Sequence, residues 1–225
     1  MSTAHATPAY TLVMGNKNYS SWSLRPWFLL RQAGLPFSER VVALYESGYE
    51  QAIRDVSPSG KVPVLLHRTA AGEVRVWDSL AICEYLAELH PGLWPADPVA
   101  RAMARSISAE MHSSFAALRN QFTCNVRRST PMAPSPATRG DIDRIVALWT
   151  ECRERYGAQG PFLFGQLSVA DAMYAPICLR FRTYGVDLSG TAGNYQQMML
   201  ATPALRQLIR DAEAEPWIIA RYEAN

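Results

Sequence analysis

Apolar positions in the first part of the chain switch between two periods. Tyr10-Thr11-Leu12-Val13-Met14 is a short run of strand formers ended by the turn-prone cluster Gly15-Asn16-Lys17-Asn18. From Ser23 to Ala33 the apolar set Leu24, Trp27, Phe28, Leu30 and Ala33 recurs largely at three and four residues, which predicts an amphipathic helix stopped by Gly34. Ser23 is expected to cap it, with Pro26 in the first turn, where a missing N–H costs little. Phe37 to Leu44 reads as a second strand, and residues 45–59 are polar and poorly patterned. Val62-Pro63-Val64-Leu65-Leu66 is a third, and its proline removes a ladder donor, so the run lies at an edge or bends there. After the turn Thr69-Ala70-Ala71-Gly72, Val74 and Val76 alternate with polar residues as a half-buried strand does. Asp78-Ser79 then opens a helix with Leu80, Cys83, Leu86 and Ala87 on one face, ending near His90.

The pattern changes at His90-Pro91-Gly92-Leu93-Trp94-Pro95-Ala96-Asp97-Pro98, where prolines and a glycine exclude a regular element and mark a boundary. Beyond it the periodicity is helical. One long helix is predicted from Val99 to Thr123, with Met103, Ile107, Met111 and Phe115 on a stripe, and another from Gly140 to Tyr156, with Pro131, Pro134 and Pro136 in the loop between. Ser168 and Asp171 have capping-box spacing, and the helix behind them, Ala172 to Phe181, is apolar enough to be the buried centre of this half, with a kink expected at Pro176. Strand, helix, strand, a variable segment, then strand, strand, helix is the order of a thioredoxin-like α/β domain. The predicted architecture is that domain over residues 1–90, a linker over 91–98 and an all-α domain over 99–225.

Composition changes little in this picture and excludes several alternatives. With 225 residues, 48% hydrophobic and 19% charged, the chain is large enough to bury a sizeable core. A formal charge of +2 offers no clustered basic face for a polyanion, so no nucleic-acid partner is expected. The run from Ala172 to Leu179 is far short of the roughly 18 residues of a membrane span, and Met1 to Ala9 lacks the plan of a signal peptide. A soluble, cytoplasmic protein is expected. Cys83, Cys124, Cys152 and Cys178 are scattered, with no paired spacing and no histidine at ligand spacing, which signals reduced thiols and no metal site.

Two stretches carry chemistry. A cis bond between Val62 and Pro63 would turn the chain sharply and leave the Val62 N–H and C=O facing outward, free to pair with an extended peptide. Asp78 and Ser79 start a helix, and a helix start with unpaired N–H groups and a hydroxyl binds a carboxylate well. Together they describe a pocket for a small peptide. Val62-Pro63 followed by Asp78-Ser79-Leu80-Ala81-Ile82 resembles the glutathione-binding half of glutathione S-transferases, and the resemblance extends over nearly the whole chain. It implies glutathione as co-substrate, held by the Val62 main chain beside Pro63 and by Asp78 and Ser79, with Lys61 near the glycyl carboxylate. It also implies a homodimer and an electrophile pocket facing Met111, His112 and Phe115.

The second stretch, Tyr19-Ser20-Ser21-Trp22-Ser23-Leu24-Arg25-Pro26, resembles the Ser-Ser-Cys-x-x-Arg motif of zeta-class transferases and the serine motif of theta-class ones. Trp22 stands where the motif has its cysteine, which argues against disulfide exchange with glutathione, since no protein thiol is on hand to attack. The resemblance makes Ser20 and Ser21 the catalytic candidates, with the reading leaning to Ser20. A thiol of pKa near ~8.5 is only a few per cent ionised at neutral pH, and lowering that by about two units takes roughly 2.7 kcal/mol. A hydroxyl donor to sulfur supplies about 1.5 to 3 kcal/mol and a helix N-terminus about 0.3 to 2 more. The function expected is a detoxifying transferase that conjugates glutathione to small electrophiles. The alternatives are a glutathione-dependent cis-trans isomerase and a non-catalytic binding protein of the same fold. For the isomerase, the arginine expected just before Val186-Asp187-Leu188 falls on Thr183, with Arg182 one residue away, so weak or absent turnover of maleyl-type diacids is expected.

Overall fold

The computed structural model describes residues 8–223 of the chain. A four-stranded sheet in the order β2-β1-β3-β4 is built from β1 (Tyr10–Gly15), β2 (Phe37–Val42), β3 (Val64–Thr69) and β4 (Gly72–Trp77). β1 runs parallel to β2 through the crossover helix α1 (Ser21–Gln32) and antiparallel to β3, which pairs with β4 as a hairpin. A short helix, α2 (Tyr49–Arg54), crosses one face, and α3 (Ser79–Leu89) follows β4. Helices alone follow: α4 (Pro98–Ser113), α5 (Ala116–Gln121), α6 (Pro136–Tyr156), α7 (Val169–Tyr184), α8 (Gly190–Ala201) and α9 (Pro203–Ala214). The chain is thus a thioredoxin-like α/β domain followed by a helical one. Among the described residues no helix is long and apolar enough to cross a membrane.

Alternation along β1 divides the core. Leu12 and Met14 point into one cluster that runs without a break into the helical half, whereas Val13 joins Val42, Ile53, Val56 and Val64 beneath α2. The larger cluster is centred on α1 and α7, where Leu24, Trp27 and Phe28 meet the almost wholly buried α7. Each such side chain contributes about 1.5–3 kcal/mol by leaving water. The capping box that starts α7 is formed: the Asp171 carboxylate accepts from the Ser168 N–H and hydroxyl at 2.9 Å, and from the Leu163 N–H and Tyr195 hydroxyl at 3.0 Å. Burial pulls its pKa up to about 6 against those donors.

The loop between β1 and α1, read from sequence as a simple turn, is where the two halves lock. Lys17 pairs with Glu39 and Asp211, each at 2.6 Å. The Glu215 carboxylate accepts the N–H groups of Lys17 at 2.7 Å and Asn18 at 3.0 Å. Asn18 donates to Asn125 at 3.0 Å and accepts from the Arg127 N–H at 2.8 Å, and the Tyr19 hydroxyl donates to Glu223.

Several local expectations are corrected. The residue at the cap of α1 is Ser20, one turn earlier than expected, so Ser23 is the third helical residue and Pro26 lies in the second turn. Residues 45–59 contain α2. β4 is one of the two outer strands of the sheet, and Val74 is 37% exposed. The long helix expected from Val99 breaks after Ser113, because Phe115 takes a left-handed conformation (φ 64°) that separates α4 from α5. α6 begins at Pro136 with Ser135 as its cap, well before Gly140, and α7 extends to Tyr184.

Candidate functional site

Three turns of chain converge on one cavity. It measures about 450 Å³ and is lined by Trp22, Ser59, Lys61, Val62, Pro63, Trp77, Asp78, Ser79 and His112. The Val62–Pro63 peptide bond is cis. The turn before it is fixed by Ser57, whose hydroxyl donates to the Lys61 carbonyl at 2.6 Å and accepts the Lys61 N–H at 3.2 Å. That sets the half-buried Val62 on the cavity rim, with the Lys61 side chain exposed beside it. Across the cavity, Asp78 caps α3 with a positive φ (74°), its carboxylate accepting the Leu80 and Ala81 N–H groups at 2.9 and 3.2 Å. The cap does not engage the N–H of Ser79, the first helical residue.

Arg25 organises this wall from behind. It is 3% exposed, and its Nη1 donates to the Ser79 hydroxyl at 3.1 Å. Because an arginine can only donate, the Ser79 oxygen is the acceptor and the hydroxyl proton remains available. The same Nη1 lies 3.4 Å from His112 Nδ1, which must therefore accept, leaving the proton on Nε2, 3.3 Å from the Asp78 carboxylate. Burial, outweighing the pull of Asp78, pushes the His112 pKa below its ordinary value and favours this neutral form. Trp22 covers the group: its ring lies 4.4 Å from the Arg25 guanidinium and 4.8 Å from that of Arg119, with His112 edge-on at 5.3 Å. The indole is 39% exposed and faces the cavity at the position where the resembling motif has cysteine.

The remaining predicted residues fall elsewhere. Ser20 is 7% exposed and donates to Ser23 at 2.8 Å, while Ser23 also accepts the Gly15 N–H at 3.1 Å, so these two hydroxyls stitch α1 to the end of β1. The Cβ of any other residue at Gly15 would meet Leu44 at 2.7 Å and Ser20 at 3.0 Å. Ser21 is half-buried and accepts from Arg180 of α7 at 3.1 Å. Neither Ser20 nor Ser21 lines the 450 Å³ cavity. Ser21 lines a small gap behind it, with Arg25, Met111, Arg119, Pro176, Ile177 and Arg180. Met111 is buried there, His112 lines the main cavity, and Phe115 is buried and lines neither. Thr183 is buried against the Asn125 carbonyl, and Arg182 donates to the Val126 carbonyl, so neither serves the cavity. All four cysteines are free and buried, and burial raises the thiol pKa of each. Sequence reasoning missed Ser57, Arg119 and Arg180, which act through tertiary placement.

The family model described as Glutathione S-transferase, N-terminal domain, matches residues 19–89, which hold every cavity residue except His112, and the model described as Glutathione S-transferase, C-terminal domain, matches residues 135–212. The chain belongs to the glutathione S-transferase family. Two curated relatives of this family member differ in kind. The "Probable maleylacetoacetate isomerase" of Caenorhabditis elegans is 27% identical over 175 residues, covering 76% of this chain and 78% of that protein. The "Stringent starvation protein A homolog" of Pasteurella multocida (strain Pm70) is 26% identical over 171 residues, covering 72% and 71%. Solved glutathione transferases share the fold. A homolog from Burkholderia gl BGR1 with bound glutathione superimposes with a TM-score of 0.65 at 24% identity, covering 93% of this chain and all of that one. Transferase Omega 2C from Trametes versicolor gives 0.67 at 20% identity, covering 96% and 98%.

Proposed function

We propose that this member of the glutathione S-transferase family is a cytoplasmic glutathione transferase that conjugates the tripeptide's thiolate to small electrophiles. The observation that carries the reading is the pairing, across one 450 Å³ cavity, of the Val62 main chain beside a cis proline with a Ser79 hydroxyl whose oxygen is engaged by Arg25. The cysteinyl unit pairs with Val62, the γ-glutamyl carboxylate takes the Ser79 hydroxyl and N–H, and Lys61 meets the glycyl carboxylate. Neither Ser20 nor Ser21 lines that cavity, and of the two Ser21 is the one with a proton to give, so it meets sulfur by turning out of the small gap behind Trp22. Ser20 spends its proton on Ser23, whereas Ser21 accepts from Arg180 and keeps its own. Trp22 and His112 then face the electrophile, with Met111 behind them.

The test is to titrate the thiolate absorbance of bound glutathione and to screen electrophiles for turnover. Ser21→Ala is expected to raise the bound thiol's pKa by roughly a unit or more, one charge-assisted hydrogen bond, with little loss of affinity. Ser20→Ala is expected to act on stability instead. If neither substitution moves the titration and no electrophile is turned over, the protein binds glutathione without activating it.

The isomerase reading is favoured by the printed name of the worm relative. It predicts turnover of maleyl-type diacids, which the transferase reading places at weak or none, given where Arg182 and Thr183 point their bonds.

A further inference from the structure

Three arginines meet behind Trp22 without a carboxylate among them. Arg25 comes from α1, Arg119 from α5 and Arg180 from α7, and together with Ser21, Met111, Pro176 and Ile177 they line a narrow gap with room for one small ion or water. Arg25 and Arg180 are 3% and 7% exposed. Their acceptors are neutral: Arg25 donates to Ser79, His112 and, at 3.3 Å, the Met111 carbonyl; Arg119 donates to the Met111 and His112 carbonyls; and Arg180 donates to the Phe122 carbonyl and Ser21. The Met111 and His112 carbonyls sit at the C-terminal end of α4, whose dipole offers about half a negative charge against three positive ones. The nearby carboxylates are committed elsewhere, Asp78 to the start of α3 and His112, and Asp141 to the Leu118 N–H. The Nε–H groups of Arg25 and Arg119 are buried with no acceptor among the described residues.

We propose that Arg25, Arg119 and Arg180 form a binding site for one small monovalent anion of halide or formate size, held in the gap between α1, α4, α5 and α7. A buried donor without an acceptor is costly, and a buried cation without a counter-charge is costlier, so an anion here relieves both at once. Burial and the neighbouring guanidiniums pull Arg25 down to about 9 and Arg119 to about 10, which still leaves both charged at neutral pH. Chloride, bromide and formate are the candidates for so narrow a gap, and gluconate, far larger than any of them, is the control anion. A resident halide and the carboxylate of a substrate share this chemistry, and the experiment separates them.

Protein exchanged into sodium gluconate is unfolded thermally in chloride, bromide, formate or gluconate at one ionic strength. The small anions are expected to raise the midpoint saturably over gluconate, and at ten times its dissociation constant an anion should lower the unfolding constant about elevenfold. Arg119→Gln, on the half-exposed member of the cluster, should abolish the response, and Arg180→Met serves as a second variant. Crystals soaked in bromide should show an anomalous peak within hydrogen-bonding distance of Arg25 Nε. If formate also competes with the electrophile in turnover, the site takes a substrate carboxylate; if halide stabilises without competing, it holds a resident ion. Equal midpoints in all four salts, or a response undiminished in Arg119→Gln, overturns the proposal.

Discussion

Removing one oxygen, in Ser79→Ala, tests the carboxylate end of the proposed glutathione site most directly. Ser79 is 1% exposed, its oxygen accepts from Arg25 at 3.1 Å, and its proton is therefore the one a ligand carboxylate takes. Loss of that charge-assisted hydrogen bond costs about 1.5 to 3 kcal/mol, or roughly ten- to hundredfold in dissociation constant. Arg25 should act on the ligand through Ser79, since it lies behind the cavity wall and does not line the cavity. The double mutant Ser79→Ala/Arg25→Met should then bind no more weakly than Ser79→Ala, with a coupling energy close to the smaller single effect. Ser79→Thr keeps the hydroxyl and should retain most of the affinity. Ser79→Ala also strips an acceptor from buried Arg25, so the unliganded protein should lose about 1 to 3 kcal/mol of stability, a change read independently by urea unfolding. Calorimetric titration of reduced glutathione at neutral pH measures the rest. A dissociation constant within about twofold of wild type in Ser79→Ala, or additive effects of the two substitutions, would refute the reasoning.

His112, whose pKa is lowered from its ordinary 6.5 by burial, contributes stability that is present above pH 6.5 and lost as pH falls below it; His112→Gln, which can still accept from Arg25 and donate to Asp78, should flatten that loss when urea midpoints are compared on either side of this value. Asp171→Ala leaves two backbone N–H groups and two hydroxyls without their acceptor in the core and should cost about 3 kcal/mol or more, with Asp171→Asn milder, both measured by denaturant unfolding. The homodimer implied by family resemblance predicts a light-scattering mass about twice the 25.0 kDa of one chain, and a mass of one chain rules it out.

The fold was legible where local pattern and tertiary role agree. Period-two and helical runs located β1, α1, β3 and α3, and the Ser168–Asp171 spacing located the start of α7, because each signal lies within a few residues of the structure it specifies. Val62-Pro63 and Asp78-Ser79 were legible for the same reason. The break between α4 and α5 was not, since Phe115 is an ordinary apolar residue held at φ 64° by its surroundings rather than by a glycine. Ser23 reads as a helix cap because serine usually is one; here its oxygen is claimed by the Gly15 N–H. Arg119 and Arg180 look like solvated helix charges, and only tertiary packing turns Arg180 toward Ser21 and Arg119 toward Trp22.

The lock at Lys17, Asn18 and Tyr19 bears on the order in which the protein is made. These residues lead directly into α1 and the cavity wall, yet their partners include Asp211, Glu215 and Glu223, between 194 and 204 positions further along the chain. A nascent chain released only as far as α8 holds every residue that lines the cavity, but Glu215 has not arrived to accept the Lys17 and Asn18 N–H groups. The loop after β1 therefore completes its bonds only once Asp211, Glu215 and Glu223 have been made, later than every residue that lines the cavity.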